Sequence, residues 1–424
     1  MNGVSLAERF REKVKTVKDY RMKFEAEQDV MYPTGFLGFD YLNGTTVHVK
    51  SDTMDFTYNS IGIIDGSMVS VIGRTGCGKT TFILQAAAEI IRPYSTACIY
   101  HDDVEGGIVQ SRKEILTHMH GEEFAKRYIS RNAGVTAENF FERVKIIHDL
   151  KMEDRESFEY DTGLFDYKGE RIFKLEPTVY ILDSIAMLMP EKYLEEEELS
   201  GQMSATAAAK TNSSVFKRII PMLKAANIIL FVVNHITEDV SINPMQRKKP
   251  QAPYLKMGET LGGGRLVNYV TNLVIRLDDN TKLKETEGYG IRGSIVEFTI
   301  GKSRTCPMGR SINMIFNFAC GFDRELSLLQ FMKEYGYVIT KGAYLKLKDH
   351  DEIKMFTHKT FKERLNEDEE FQKAFIETAM VALEGLINKP GNYFYDEEVQ
   401  EEENKFDITA ALMSNINQQL AKVA

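Results

Sequence analysis

The sequence predicts an α/β protein: a mostly parallel sheet with helices on both faces. Three observations carry that expectation. Gly66–Ile72 reads as a buried strand, Gly73–Thr80 as a glycine-rich turn and Thr81–Ile90 as a helix, in that order. Val179–Leu182 and Ile228–Val233 are near-continuous apolar runs, the pattern of strands covered on both faces. A long helical pattern, Ala205–Ala225, separates these last two runs, as a crossover between parallel strands requires.

The turn carries the first chemical signal. Gly73-Arg74-Thr75-Gly76-Cys77-Gly78-Lys79-Thr80, followed by Thr81, fits the pattern G-x-x-x-x-G-K-[ST] between a strand and a helix. Glycines let backbone N–H groups turn inward around phosphate oxygens at the positive end of a helix. Lys79 is placed to reach β- and γ-phosphates, and the Thr80 hydroxyl to ligate Mg²⁺. The second signal is Val179-Tyr180-Ile181-Leu182-Asp183, an apolar strand ending in a carboxylate that can hold the same Mg²⁺ through water. The third is the run Thr96–Tyr100, read as a parallel strand ending in His101-Asp102-Asp103-Val104-Glu105. A carboxylate there is a candidate for activating a water, with Glu105 the choice and Asp102 or Asp103 the alternatives. Together these imply ATP-type chemistry with Mg²⁺.

Bulk properties bound the rest. The chain has 424 residues, 43% of them hydrophobic, enough for one large domain with smaller lobes. No apolar run approaches a membrane span, and Met1–Arg9 shows no apolar signal region. The 4 cysteines are scattered, which points to free thiols in a reducing compartment. A formal net charge of −9 argues mildly against nucleic acid unless basic groups are localised.

Residues 1–30 are expected to form an N-terminal oligomerisation arm, a helix with Leu6, Phe10, Val14, Val17, Tyr20 and Phe24 at helical spacing that docks on a neighbouring subunit or, alternatively, packs on its own domain. Residues 31–325 form the core, opened by Thr34-Gly35…Asp40, with hairpin insertions expected near 43–62 and at Phe158–Lys174. Val144–Ile147 is expected to be a strand. Asn234-His235 ends the Ile228–Val233 strand, where polar groups can sense a γ-phosphate. The stretch 237–264 lacks periodicity and carries Arg247, Lys248, Lys249, Tyr254, Lys256 and Gly262-Gly263-Gly264, followed by Arg265. Cations, an aromatic and hinge glycines suit a mobile segment that binds a phosphate backbone. Tyr269–Leu277 and Ile295–Gly301 read as strands, the second ending in Lys302-Ser303-Arg304 at the carboxyl edge of the sheet. Residues 326–424 are expected to form a small C-terminal lobe with an acidic tail, Asp396–Glu403.

In this order the motifs resemble a RecA-type recombinase core, most similar to the bacteriophage UvsX-like branch. The resemblance rests on Thr34…Asp40, Gly73–Thr80, Asp103-Val104-Glu105, Ile181–Ser184, Phe216–Pro221, Val233-Asn234-His235, Gly262–Gly264 and Lys302-Ser303-Arg304-Thr305, over roughly residues 30–325. It implies a helical filament on single-stranded DNA that pairs and exchanges strands with duplex DNA, using ATP and Mg²⁺. Single-strand-binding and loader proteins would be partners, and the cytoplasm of an infected bacterium the location. It implies Glu105 as the catalytic carboxylate and Asn234-His235 as a γ-phosphate sensor tied to a DNA loop. It places DNA loops at 188–204 and 237–264, and sets Lys302 and Arg304 against ATP on the next subunit. Arg112 stands where relatives often stack a Tyr on adenine, and a guanidinium can also stack. The first DNA loop is acidic here (Glu195–Glu198), so DNA contact is assigned chiefly to the second. A hexameric replicative helicase and a non-motor ATP-binding mediator use the same core and remain alternatives.

Overall fold

The computed structural model describes residues 28–387, except 132–134, 167–168, 192–200, 239–248, 263–268 and 287; within 201–210 only the helical backbone is described. The expected N-terminal helix, the acidic tail and most of the first loop therefore lie outside the described residues.

The chain opens with β1 (Met31–Tyr32), α1 (Leu37–Asn43), the hairpin β2 (Thr45–Lys50) and β3 (Asp55–Ser60), and β4 (Ile63–Ile64). Next come β5 (Met68–Gly73), α2 (Lys79–Ile91), β6 (Ile99–Asp103), α3 (Gln110–Thr117), α4 (Gly121–Arg127) and β7 (Tyr128–Arg131). They are followed by α5 (Ala137–Glu153), α6 (Arg155–Phe158), the hairpin β8 (Glu159–Phe165) and β9 (Arg171–Leu175), β10 (Thr178–Asp183) and α7 (Gly201–Ala226). The remainder is β11 (Ile228–Glu238), β12 (Glu259–Leu261), β13 (Leu273–Leu283), β14 (Gly293–Lys302), β15 (Ser311–Asn317), β16 (Gly321–Asp323), α8 (Arg324–Glu334), β17 (Val338–Lys341), β18 (Tyr344–Leu347), α9 (Phe361–Glu367) and α10 (Glu369–Glu384).

The central sheet has 10 strands in the order β16-β15-β14-β13-β5-β11-β10-β6-β7, with β12 added on β11. From β13 to β7 every pairing is parallel; β14, β15 and β16 extend the sheet antiparallel. Alternation along the strands sorts their side chains to two faces. Val69, Val71, Val179, Ile181, Ile229 and Phe231 pack with Phe82 of α2 and Phe298 of β14. Met68, Tyr180, Leu182, Leu230 and Val232 pack with Phe140 of α5 and Phe216 of α7. Both faces are thus covered, which is why these strands read as unbroken apolar runs. The α/β fold with helices on both faces is the one expected.

One local expectation is corrected. Val144–Ile147 is not a strand but lies inside α5, whose buried Phe140, Phe141, Val144, Ile147 and Lys151 recur at helical spacing. Thr136 starts that helix by accepting the Asn139 N–H at 3.0 Å. An edge strand with no counterpart in the sequence reading, β7, follows α4, and its burial is confined to Tyr128. Both hairpin insertions are present, and they touch through Phe56 and Phe165, with Tyr58 donating to the Phe165 carbonyl at 3.3 Å. The C-terminal helices bring Phe361, Phe371 and Phe375 into the hydrophobic cluster that includes Phe82.

Asp40 anchors the entry to the core. It is fully buried and accepts Thr34 N–H at 2.9 Å, the Thr34 hydroxyl at 2.7 Å and Gly35 N–H at 3.1 Å. Burial pushes its carboxyl from the ordinary 3.8 up to about 7, while those donors pull the other way. The folded state therefore holds this proton more tightly than the unfolded chain. The stability so gained is complete below about pH 4 and is lost as pH rises through about 7. Asp40→Asn should lack that dependence. The urea-unfolding difference between the native chain and Asp40→Asn should fall by on the order of 2 kcal/mol between pH 5 and pH 7.5. A constant difference would mean that the carboxylate stays ionised and its donors outweigh burial.

Candidate active site

β5 ends at Gly73 and α2 begins at Lys79, so the expected turn joins strand to helix directly. Gly78 stands at the helix start with φ +91°, and an added Cβ would lie 2.9 Å from the Phe322 ring. Only glycine fits both the conformation and the space. Arg74, Thr75 and Gly76 are exposed, Cys77 is buried beneath them, and Thr81 is half-buried. The Lys79 ammonium sits inside the turn, donating to the carbonyls of Gly73 at 3.0 Å and Arg74 at 2.8 Å. Burial lowers its pKa from the ordinary lysine value. Arg74 reaches out to pair with Glu238 at the end of β11.

Parallel register brings the other site residues to the same edge. Asp183 lies beside Asp103, and His235 beside Gly73. The Thr80 hydroxyl donates to Asp183 Oδ2 at 2.6 Å. Glu105 Oε1 accepts the Ser184 hydroxyl at 2.7 Å and lies 3.0 Å from His235 Nε2. An ionised carboxylate only accepts, so Nε2 carries the hydrogen. Donor atoms of Glu105, Asp183 and His235 all fall within 4.8 Å of one another. Burial raises the Asp183 carboxyl to about 6, against the Thr80 hydrogen bond and with the Glu105 and Asp103 charges adding to the rise. The alternatives to Glu105 are engaged elsewhere. Asp102 is taken by Tyr180 and Arg143, and the Lys113 ammonium lies 3.2 Å from Asp103 Oδ2. Glu105 retains 39% side-chain exposure, so it is the carboxylate that can meet a water. A hydroxyl and a carboxylate in contact are hard oxygen donors, a set that fits Mg²⁺ with several retained waters.

Asn234 and Gly262 exchange hydrogen bonds, Asn234 Nδ2 to the Gly262 carbonyl at 3.0 Å and Gly262 N–H to Asn234 Oδ1 at 3.2 Å. The strand end that carries His235 is thereby tied to the glycine run of the second loop. Gly263, Gly264, Arg265, Arg247 and Lys248 lie outside the described residues. The described part of that loop is packed: β12 pairs with β11, and Leu255 is buried against Ile72 and Val274. Lys249 is exposed and lines a groove of about 540 Å³ with Tyr254, Tyr269 and Lys302. Lys256 is exposed, 3.5 Å from Asp278. Arg112 donates to the Ala319 carbonyl in the turn before β16.

Lys302 and Arg304 are the residues that the fold does not bring to this cluster. Their expected place at the carboxyl edge is corrected by strand direction. β14 runs antiparallel to β13, and Lys302 pairs with Val274 near the start of β13. The parallel strand β5 shares that start, Leu273 pairing with Val69. Both cations thus sit at the edge opposite the Gly73–Thr80 turn. Lys302 donates to the Tyr269 carbonyl at 2.8 Å, and burial, with Arg304 nearby, lowers its pKa. Arg304 is exposed.

Two site residues were not found from sequence. Ser184 was visible as the residue after the strand-ending Asp183, but only the fold aims its hydroxyl at Glu105. Arg276 gave no signal of its buried partner: Asp278, two positions on, accepts its Nε–H at 2.7 Å, but Glu259 lies 17 positions back. It forms a buried two-point pair with Glu259, at 2.6 and 2.9 Å, and donates to the Tyr254 carbonyl at 2.9 Å. Hydrogen bonds to Glu259 hold its pKa above the ordinary arginine value. It clamps 254–259 onto the sheet.

Fold and site define an α/β phosphate-loop protein with a RecA-like core. No protein-family model matches the chain. It is similar to curated proteins named Protein RecA. That of Macrococcus caseolyticus is 22% identical over 305 residues, covering 71% of this chain and 72% of the relative. That of Synechococcus sp. (strain CC9902) is 24% identical over 302 residues, 70% and 67% of the two chains. That of Mesomycoplasma hyopneumoniae is 23% identical over 306 residues, 70% and 74%. Among the described residues no helix is long and apolar enough to cross a membrane.

Arg276→Met should strand the buried Glu259 charge, at a cost of about 3–5 kcal/mol. Its thermal midpoint should fall and protease cleavage within 254–259 should rise. Removing both partners together, Arg276→Met/Glu259→Leu, should cost less than the single change. Equal losses would show that the pair does not hold the segment.

Proposed function

We propose that this chain is a DNA-dependent ATPase of the recombinase kind. It assembles as a helical filament on single-stranded DNA and exchanges strands with homologous duplex, in phage recombination, repair and replication inside an infected bacterial cell. The observation that carries the reading is Glu105. Its carboxylate is fixed between Ser184 and His235, in one cluster with the Asp183 that touches Thr80. Similarity to proteins named RecA over about 70% of the chain supports the same class.

Each residue then has a task. The N–H groups of the Gly73–Thr80 turn bind the phosphates of ATP, and Lys79 leaves its own turn's carbonyls for their oxygens. Thr80 and Asp183 hold Mg²⁺, which when bound neutralises phosphate charge. Glu105 orients the attacking water and accepts its proton. His235 reports the γ-phosphate through Asn234 to Gly262 and so to the DNA loop. Arg247, Lys248, Lys249, Lys256 and Arg265 contact the DNA backbone, and Arg112 stacks on adenine. The position of Lys302 and Arg304 at the far edge of the sheet supports a role toward the nucleotide of a second copy.

Glu105→Gln should bind ATP normally and hydrolyse it more slowly by on the order of 10²–10⁴-fold, because only proton acceptance is removed. Near-native turnover would move the base elsewhere.

Lys302→Ala/Arg304→Ala should bind ATP yet lose DNA-stimulated hydrolysis, and Lys79→Ala should lose hydrolysis through its own turn. Mixed, the two should recover part of the activity, since one supplies the intact turn and the other the intact cations. The measurement is ATPase rate against mixing ratio at fixed total protein. If no mixture exceeds the sum of its parts, the cations do not serve a neighbour.

A further inference from the structure

The carboxyl end of β6 carries Asp102 and Asp103 next to each other, and strand alternation sends them to opposite faces. Asp102 meets Arg143 and Tyr180 on the side of α5. Asp103 turns to α3, where the Lys113 ammonium lies 3.2 Å from Oδ2; the two side chains are 2% and 4% exposed. Lys113 also donates to the Ser130 hydroxyl of β7 at 3.0 Å, so it bridges α3 to the sheet edge. The other oxygen of Asp103 accepts the Gly107 N–H at 3.2 Å, and the Asp103 carbonyl accepts Gly106 N–H at 3.1 Å. These bonds close a turn over Asp103–Gly107, and Glu105 stands in the middle of it. The turn is fixed on its other side by Val104 N–H, which donates to the Asp183 carbonyl at 2.7 Å.

A buried ion pair is a weak source of stability, because desolvation cancels most of its Coulomb gain; apolar replacements of similar volume are often neutral or better. What such a pair does supply is a fixed direction. A hydrogen-bonded carboxylate held by a buried cation cannot rotate away from the N–H it accepts. Here that N–H belongs to the turn that aims the Glu105 carboxylate at Ser184 and His235. Misplacement of a reacting group by about 1 Å costs on the order of 10²-fold in rate.

We propose that Asp103 and Lys113 form a positioning pair that holds the Glu105 turn, so that loss of the pair lowers turnover by displacing Glu105. This rests on the reading of Glu105 as the base. The test uses the full chain with single-stranded DNA and Asp103→Asn/Lys113→Met, which removes both charges at similar volume. The pair variant should lose on the order of 10²-fold in kcat. Its KM for ATP should stay within about two-fold, since the phosphate turn is untouched, and its urea midpoint should be equal or higher. Added to Glu105→Gln, the pair change should lower kcat no further, because there is no longer a base to position. An unchanged kcat in the native background, or the same fold-loss in both backgrounds, overturns the proposal. Where the double variant does not fold, Asp103→Glu, which keeps both charges but moves the carboxylate by one methylene from the Gly107 N–H, is judged by the same two results. If Glu105→Gln itself turns over at the native rate, the base assignment fails and takes this proposal with it. A slow Glu105→Gln beside a fast pair variant overturns the positioning role alone.

Discussion

Side-by-side parallel pairing of β5, β11, β10 and β6 is the constraint on which the site depends. Each strand contributes one residue type that means little alone: the turn after Gly73, His235, Asp183, and the acidic end of β6. Register sets them level, with His235 beside Gly73 and Asp183 beside Asp103. A shift of one residue in any of these strands would send its side chains to the other face. The register is held because both faces of these strands are buried, so every slipped state would expose apolar surface and strand polar groups. The core thus does chemical work at a distance, by fixing where the carboxyl ends stop.

The network at those ends is polar and closely connected. Lys79 is held by its own turn, Thr80 by Asp183, Glu105 by Ser184 and His235, and Asn234 by Gly262. A new anion at the turn competes first for Lys79, whose present acceptors are two carbonyls and whose burial already disfavours its charge. His235 follows Asn234 directly in the chain, and Asn234 is tied to Gly262 by a pair of hydrogen bonds.

What was legible in the sequence divides along physical lines. Strands buried on both faces were read correctly because their apolar runs are unbroken, and the turn because glycine, lysine and threonine at fixed spacing have a joint purpose. Val144–Ile147 was misread because three β-branched apolar residues in four positions look alike in a helix and a strand; only Phe140 and Lys151, further out, reveal the helical spacing. β7 has one buried residue and gave almost no signal. The edge reached by Lys302 depends on the direction of β14, which periodicity does not encode. Arg276 and Glu259 are 17 positions apart, and their pairing exists only once β12 folds back beside β11.

Strand direction has a consequence for assembly. The Gly73–Thr80 turn and the Lys302–Arg304 pair occupy opposite edges of one sheet, so a single subunit's cations lie away from its own turn. A two-fold dimer can serve both turns only if the two edges share one reciprocal interface, each turn facing the partner's cations. A head-to-tail contact joins unlike edges and can supply every turn but the last. Such a contact is heterologous, and it repeats as a ring when the rotation closes and as a helix when it does not. In either arrangement completed sites number one fewer than the subunits of an open chain, or equal them in a ring. If the cations serve a neighbour, hydrolysis per subunit then rises with polymer length in a filament and is constant in a ring, which makes ATPase rate itself a measure of how the chain assembles.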